Sequence, residues 1–162
     1  MHQALLIATF AAAIGCGLVA GIFYAFSSFV MGALGKIPPE QGINAMQSIN
    51  VIVLNRSFFL AFFGTAALCV ALLAGAWLWW SAPAGKLLLL ASAIYLAGTI
   101  GVTMVFNVPL NDALAAQPAA PEAAILWAHY LERWTAWNTV RTAAPTASMA
   151  LFIAALISAP AG

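Results

Sequence analysis

Residues 57–85 read SFFLAFFGTAALCVALLAGAWLWWSAPAG, a run that contains no Asp, Glu, Lys or Arg. About 20 apolar residues, rising 1.5 Å each in a helix, are enough to cross the roughly 30 Å hydrocarbon core of a bilayer. Lipid offers no hydrogen-bond partners, so the backbone of such a run must bond to itself, as a helix does and an open sheet does not. This run therefore predicts a transmembrane helix.

Three further runs, residues 3–35, 87–111 and 142–162, also lack these four residue types. The last one is short and needs the turn before it to complete a span. The 162-residue chain is 65% hydrophobic and 6% charged, whereas soluble domains carry about 25% charged residues. We therefore predict an all-α fold: one integral membrane domain, residues 1–162, forming a four-helix transmembrane bundle with approximate spans 4–34, 56–80, 86–110 and 134–158.

The net charge of +1 makes nucleic acid a poor partner, and membrane lipids are the expected surroundings. Lys36, Arg56 and Arg133 outnumber Lys86 on the other side. The positive-inside rule then places the two long loops in the cytoplasm, and we expect the membrane to be a bacterial cytoplasmic membrane. The first long loop, up to Asn50, is predicted to contain a short interfacial helix.

Smaller features predict how the helices pack. The small residues Ala13, Gly17 and Gly21 recur every four positions and favour a close helix contact. Pro145 is expected to bend the fourth helix, because its ring removes one backbone donor. Three tryptophans before the short second loop are typical of an interfacial aromatic belt; they are Trp77, Trp79 and Trp80.

Polar residues collect at one face of the predicted membrane domain. In a four-span chain, the end of helix one, the start of two, the end of three and the start of four share a face. The opposite face offers little beyond Lys86 and the tryptophans. The polar and aromatic residues on the shared face are Tyr24, Ser27, Ser28, Asn50, Asn55, Arg56, Thr103, Asn107, Asn111, Trp134, Trp137, Asn138 and Arg141.

The spacing of these residues predicts a pocket. Asn107 and Asn111 are four apart on one side of helix three, and Trp134, Asn138 and Arg141 share one side of helix four. An amide or guanidinium facing lipid is costly, so these side chains should point inward and meet. The alternative is structural: Arg56 and Arg141 extend to headgroups, and each asparagine only ties helices together.

A base and a metal are harder to find in the sequence. His129 is the one candidate for a neutral-pH base in this half of the chain, although a solvated histidine is the competing interpretation. Cys16 and Cys69 lie deep in apolar runs and are interpreted as small buried hydrophobes. No phosphate-binding loop, nucleophile elbow or dinucleotide motif occurs. We assign no metal ion and no cofactor from the sequence.

Four segments resemble the anthrone-oxygenase-like family of small integral membrane proteins, and the resemblance extends over nearly the whole chain. Its most specific parts are the Asn-x-Pro-Leu-Asn and Trp-Asn-x-x-Arg motifs. Most bacterial members of that family carry only a label of unknown function. The segments are GIFYAFSSFVM (21–31), AMQSIN (45–50) followed by Leu54-Asn55, GVTMVFNVPLN (101–111) and WTAWNTVRT (134–142).

The resemblance implies oxidation of an anthrone to an anthraquinone by dioxygen. Such a reaction needs a base, donors for the developing oxyanion and a flat apolar slot. We expect Arg141, Asn138 and His129 to be the catalytic residues. The expected substrate-binding residues are Asn107, Asn111, Trp134, Trp137, Tyr24, Asn55 and Arg56.

The leading hypothesis is thus a membrane-embedded oxygenase-like enzyme. Its expected substrate is a small, flat, hydrophobic, phenolic (anthrone-like) aromatic molecule, which it would oxidise with dioxygen. One alternative is a non-catalytic lipid- or quinone-binding module, or a subunit of a larger membrane complex. A small transporter is disfavoured, because the spans contain no acidic residues to carry coupling ions. The sequence leaves a homo-oligomer open.

Overall fold

The computed structural model describes residues 2–76 and 83–159 of the chain. Four helical segments in these ranges are long and apolar enough to cross a membrane: Gln3–Leu34, Arg56–Ala76, Pro83–Ala115 and Ala124–Ile157. They are spans 1 to 4. The described residues contain no strand. The predicted all-α fold with four membrane-spanning helices is confirmed.

The first half of the chain contains two spans and the predicted helix between them. Span 1 consists of α1 (His2–Ala25), a π-helical turn (Phe26–Val30) and α2 (Met31–Leu34). Helix α3 (Pro39–Ile52) follows and begins with a proline, whose missing N–H costs nothing at that position. Span 2 is a single apolar helix, α4 (Arg56–Ala76). Helix α3 is too short to cross a bilayer, and it packs against α2, α6 and α7.

The second half of the chain contains span 3, which is interrupted by two π-helical turns, and span 4, which is one long helix. Span 4 is one helix, α7, which begins at Ala124 rather than near residue 134, because the amphipathic segment around residues 125–131 is part of the same helix. Pro145 lies inside this helix and removes the donor that would bond the carbonyl of Arg141. The elements are α5 (Pro83–Tyr95), two π-helical turns (Leu96–Gly101 and Thr103–Asn107), α6 (Val108–Ala115), a 3-10 turn (Pro121–Ala123) and α7 (Ala124–Ile157).

The spans form a closed bundle in sequence order. Helix α4 packs against α1 and α5, and α7 packs against α5 and returns to α1. The outside stays apolar: Ile7, Phe10, Ile14 and Leu18 follow one stripe of α1, and each is more than half exposed. Such a surface is stable in lipid and unfavourable in water.

Small residues allow the spans to approach, although the predicted stripe is only partly right. Ala13 is buried, and a Cβ on Gly17 would lie 3.1 Å from Sδ of Met149. A Cβ on Gly21, however, would meet nothing within 4 Å, so this residue faces outward. Each step of four residues turns the helix about 40° beyond a full turn, so a stripe of this spacing rotates away from the neighbouring span. Gly21, the third residue of the stripe, therefore no longer faces that span. The predicted belt at Trp77, Trp79 and Trp80 lies outside the described residues.

Two apolar clusters divide the bundle along its length. The bundle core contains Phe23, Phe62, Leu88, Tyr95 and Phe152 with their small neighbours. The end core lies where α2, α3, α6 and the first half of α7 meet. Its buried members are Met31, Ile43, Met46, Leu114, Trp127, Tyr130 and Trp134.

Candidate functional site

Arg141 lies in the interior of the protein, between the two apolar cores. Its side chain is only 5% exposed. The guanidinium carbon is 4.3 Å from the ring centroid of Phe23, in the bundle core, and 5.0 Å from that of Trp134, in the end core. Aromatic faces attract a cation electrostatically, and the attraction grows when water is excluded. The two rings thus hold the charge within the bundle rather than at the headgroups.

The hydrogen bonds of Arg141 go to uncharged oxygens. Nη2 donates to Oδ1 of Asn138 over 2.9 Å, and Nη1 donates to Oγ1 of Thr103 over 3.3 Å. The Nε atom is buried and has no partner among the described residues. An arginine keeps its charge in proteins, and burying a charge without a counter-charge costs several kcal/mol. An anionic oxygen brought by a ligand would remove this cost.

Asn138 connects this cation to span 1. Its fully buried Nδ2 donates over 2.7 Å to the backbone carbonyl of Phe23 and over 2.7 Å to Oγ of Ser27. A carbonyl only accepts hydrogen bonds, so the amide nitrogen must face span 1 and the amide oxygen must face Arg141. Asn138 and Arg141 therefore contact each other inside the bundle, as the sequence predicted.

Asn107 and Asn111 attach span 3 to α7, on the side that the sequence predicted. Nδ2 of Asn107 donates to the backbone carbonyl of Trp134 over 3.2 Å, and Asn107 is fully buried. Oδ1 of Asn111 accepts two hydrogen bonds of 2.8 Å each, from the Tyr130 hydroxyl and the Trp134 indole. Trp134 is therefore fixed at both its backbone and its ring.

The π-helical turns supply several of these contacts. Ser27, Thr103 and Asn107 each lie in such a turn, and each contacts a residue of α7. A π turn inserts an extra residue into a helix and so changes which side chains face a neighbour; such turns are frequent at functional sites. Sequence spacing does not predict them.

A cleft between α3 and α6 leads to Arg141. Its volume is about 300 Å³, at the small end of the range for ligand pockets, roughly 300–1,000 Å³. Helix α6 contributes one face at the spacing i, i+3, i+4, i+7, and Thr103, Phe58 and the buried Arg141 complete the lining. The lining residues of α3 and the turn after it are Gln47, Asn50, Val51, Val53 and Leu54, and those of α6 are Val108, Asn111, Asp112 and Ala115. We call this the α3–α6 cleft.

An aromatic recess adjoins the cleft. It has a volume of about 60 Å³ and shares Asn50, Phe58, Asn111 and Arg141 with the α3–α6 cleft. Its other walls include aromatic rings from span 1 and α7, namely Phe23, Phe26 and Trp134. The combined space therefore has a cation with amides beside it and flat apolar walls.

Gln47 holds the two walls of the cleft together. Its Nε2 atom donates to the backbone carbonyls of Leu114 (2.9 Å) and Gln117 (3.0 Å) at the C-terminal end of α6. Carbonyls at a helix end lack partners within the helix, so these bonds satisfy atoms that need a donor. The side chain thereby fixes α3 against α6.

Three predicted substrate-binding residues do not join the site. Tyr24 is 63% exposed, because it lies about 100° around the helix from the buried Phe23. Asn55 caps α4, accepting a 3.1 Å hydrogen bond from the backbone N–H of Phe58 through its side-chain oxygen. Arg56 is exposed at the start of the same helix.

His129 and Trp137 also lie away from Arg141. His129 is exposed and lines neither the cleft nor the recess. Nine residues separate it from Asn138, which places the two on opposite sides of α7 at 100° per residue. Trp137 is half-buried and stacks on Phe106, with ring centroids 3.6 Å apart and planes inclined by 7°. It packs two spans together rather than lining the cleft.

Some residues of the site were not singled out from the sequence. Asp112 and Gln47 lie between the predicted spans, where a polar side chain is usually interpreted as solvated. Tyr130 and Phe23 belong to apolar patterns, which predict core residues. The signal that could have found Asp112 is its position, one residue after Asn111, at i+4 from Val108 on the same face of α6.

These features define a four-span membrane protein with a buried cationic site reached through a cleft. The chain belongs to the anthrone oxygenase family, whose sequence model matches residues 58–151. This range includes Asn107, Asn111, Asp112, Asn138 and Arg141 but not span 1, and it confirms the family resemblance. No curated protein and no solved structure matches the chain.

Proposed function

We propose that this protein is a membrane-embedded oxygenase that oxidises a flat hydrophobic phenolic, an anthrone-like molecule, with dioxygen. The observation that carries the proposal is the environment of Arg141. Its charge is buried beside aromatic rings, bonded to neutral oxygens, and open to a cleft. Membership in the anthrone oxygenase family supports the same reaction class.

The reaction places negative charge on an oxygen. An anthrone loses a proton from its central methylene, and the electron pair delocalises onto the ketone oxygen opposite. A guanidinium already oriented by Asn138 and Thr103 stabilises this oxyanion without reorganising during the reaction. Removing one such donor from an enzyme commonly lowers the rate about 100- to 1,000-fold.

The shape of the site suits a planar aromatic substrate. Phe58 lines both the cleft and the recess, and Phe23, Phe26 and Trp134 add further ring surface. Apolar walls with a few directed polar groups are the usual composition of small-molecule sites.

The oxidation balances with dioxygen as the sole co-substrate. The methylene carbon loses two hydrogens and gains one oxygen atom as a ketone. The second oxygen atom leaves as water with those two hydrogens. Dioxygen thus accepts four electrons, the number that the methylene carbon gives up.

Oxygen consumption by purified protein with an anthrone tests this proposal. We expect wild type to exceed the protein-free rate and Arg141→Met to fall about 100- to 1,000-fold below wild type. Arg133→Met is the matched control, because Arg133 is an exposed arginine two turns earlier on α7. Its rate should equal that of wild type.

One outcome would contradict the proposed oxygenase activity, and another would contradict its assignment to Arg141. Wild type at the protein-free rate, together with Arg141-dependent binding of an anthraquinone, would instead favour the non-catalytic quinone-binding module. Equal activity in wild type and Arg141→Met would show that the reaction occurs elsewhere.

A further inference from the structure

The proposed reaction requires a proton acceptor, and the structure leaves His129 outside the cleft. Among the described residues that line the α3–α6 cleft, Asp112 is the carboxylate and Arg141 is the cation. The other polar groups there are the amides of Gln47, Asn50 and Asn111 and the Thr103 hydroxyl, none of which is a base at neutral pH.

We propose that Asp112 is the catalytic base of this protein, an inference that rests on the proposed function. Its carboxylate takes the proton from the substrate methylene while Arg141 holds the oxygen at the other end of the conjugated ring. In an anthrone, the methylene and the ketone occupy opposite positions of the central ring. A substrate bound across the cleft therefore needs a base on one side and a cation on the other.

The position of Asp112 fits this division of roles. It lies on the cleft-lining face of α6, one turn after Val108 and beside Asn111. Asp112 is exposed, whereas Arg141 is buried at the inner end of the cleft. The carboxylate therefore lies toward the open side of the cleft, and the cation lies toward its closed side.

A carboxylate is adequate for this task when the enolate is stabilised. Enzymes deprotonate carbon acids with an aspartate where hydrogen-bond donors stabilise the developing oxyanion. Arg141 supplies a full positive charge in an environment of aromatic rings, where electrostatic interactions are stronger than in water.

The proton and electron count closes with Asp112 unchanged at the end. The carboxylate takes the first methylene proton, and the resulting enolate combines with dioxygen to form a carbon–oxygen bond. The peroxide anion takes the proton back from Asp112 to give a hydroperoxide. Asp112 then removes the remaining hydrogen from that carbon as a proton. The O–O bond breaks as the ketone forms, and hydroxide leaves. The hydroxide takes the proton from Asp112 to give water.

Asp112→Asn and Asp112→Glu in the full-length protein, assayed with an anthrone and dioxygen, test this role. We expect Asp112→Asn to lower kcat about 100- to 10,000-fold, the usual contribution of a positioned base. KM should stay close to that of wild type, because the amide fills the same space. Asp112→Glu should recover part of the rate. Glu132→Gln, an exposed acid on α7 that does not line the cleft, should match wild type.

A substrate deuterated at the methylene separates catalysis from a structural role, because only a change in proton removal alters the isotope effect. The deuterium isotope effect should be larger in Asp112→Asn, where proton removal limits turnover.

The outcomes distinguish this inference from the proposed function. An active wild type with Asp112→Asn unchanged in kcat and in isotope effect would overturn the role of Asp112 alone. A wild type no faster than the protein-free reaction would overturn both. If Asp112→Asn instead raises KM and leaves kcat unchanged, Asp112 contributes to substrate binding and is not the base.

Discussion

Nη2 of Arg141 donates a 2.9 Å hydrogen bond to Oδ1 of Asn138, three residues earlier on α7. The same amide uses its nitrogen to bond the backbone carbonyl of Phe23 and the hydroxyl of Ser27. Span 1 therefore orients the cation, although the cation and its nearest partner both belong to span 4. The site forms only when these two spans are packed together.

Asn138→Leu should destabilise the protein by about 2–4 kcal/mol, because it removes three hydrogen bonds and leaves Nη2 of Arg141 buried without an acceptor. Reversible unfolding in detergent measures the change. Thr146→Ala is the control: its hydroxyl is exposed and bonds only within α7, to the carbonyl of Thr142. It should stay within about 0.5 kcal/mol of wild type.

The double variant Asn138→Leu/Arg141→Met should be more stable than Asn138→Leu alone. Replacing both members of a buried polar pair leaves no stranded charge, whereas removing one member does. The two changes should be coupled by about 1–3 kcal/mol. Additive effects would show that Asn138 does not support Arg141.

Loss of the acceptor Asn111 should destabilise the protein more than loss of one of its two donors. Tyr130→Phe removes one donor and leaves Oδ1 of Asn111 bonded to the Trp134 indole, so we expect a loss of about 1 kcal/mol. Asn111→Leu strands both donors and should cost about 2–4 kcal/mol. Unfolding in detergent distinguishes them, and an equal cost would contradict the shared acceptor.

Much of the fold could be predicted because its cause is simple. Long uncharged runs force helices in lipid, and the parity of four spans places the ends that carry Ser27, Thr103, Asn107 and Arg141 together. The pocket within the bundle follows from the cost of leaving such groups in hydrocarbon. None of these arguments depends on the detailed packing of side chains.

The composition of the site was harder to predict, for physical reasons. Parity assigns a residue to a membrane face but not to the inside or outside of a helix, so Tyr24 and Arg56 were included although they are exposed. Asn55 at a helix start serves the backbone instead of a ligand. Asp112 faces the cleft only because α3 packs opposite α6, a contact between distant parts of the chain.

The orientation in the membrane remains a prediction from charge. A cysteine at exposed Pro38 should react with an impermeant thiol reagent only from the cytoplasmic side, and one at exposed Lys86 only from the opposite side. The native Cys16 and Cys69 are fully buried and should stay unlabelled. The reversed labelling pattern in intact cells would contradict the positive-inside assignment.

Gly42 determines how closely α3 approaches the end core. A Cβ there would lie 2.7 Å from the ring of Trp127 and 3.0 Å from the backbone carbonyl of Leu34. Gly42→Ala should therefore displace α3 and cost about 1–3 kcal/mol. Since α3 forms one wall of the α3–α6 cleft, kcat/KM should fall on the order of tenfold to a hundredfold, the effect of a small misplacement in a site.

Gly32→Ala provides the matched control, because a Cβ on Gly32 would meet nothing within 4 Å. Its helix should be stabilised slightly, by up to about 1 kcal/mol, since alanine favours a helix over glycine. Its activity should equal that of wild type. If Gly42→Ala also keeps full activity while it loses stability, the position of α3 does not control the reaction, and the α3–α6 cleft is not where the substrate binds.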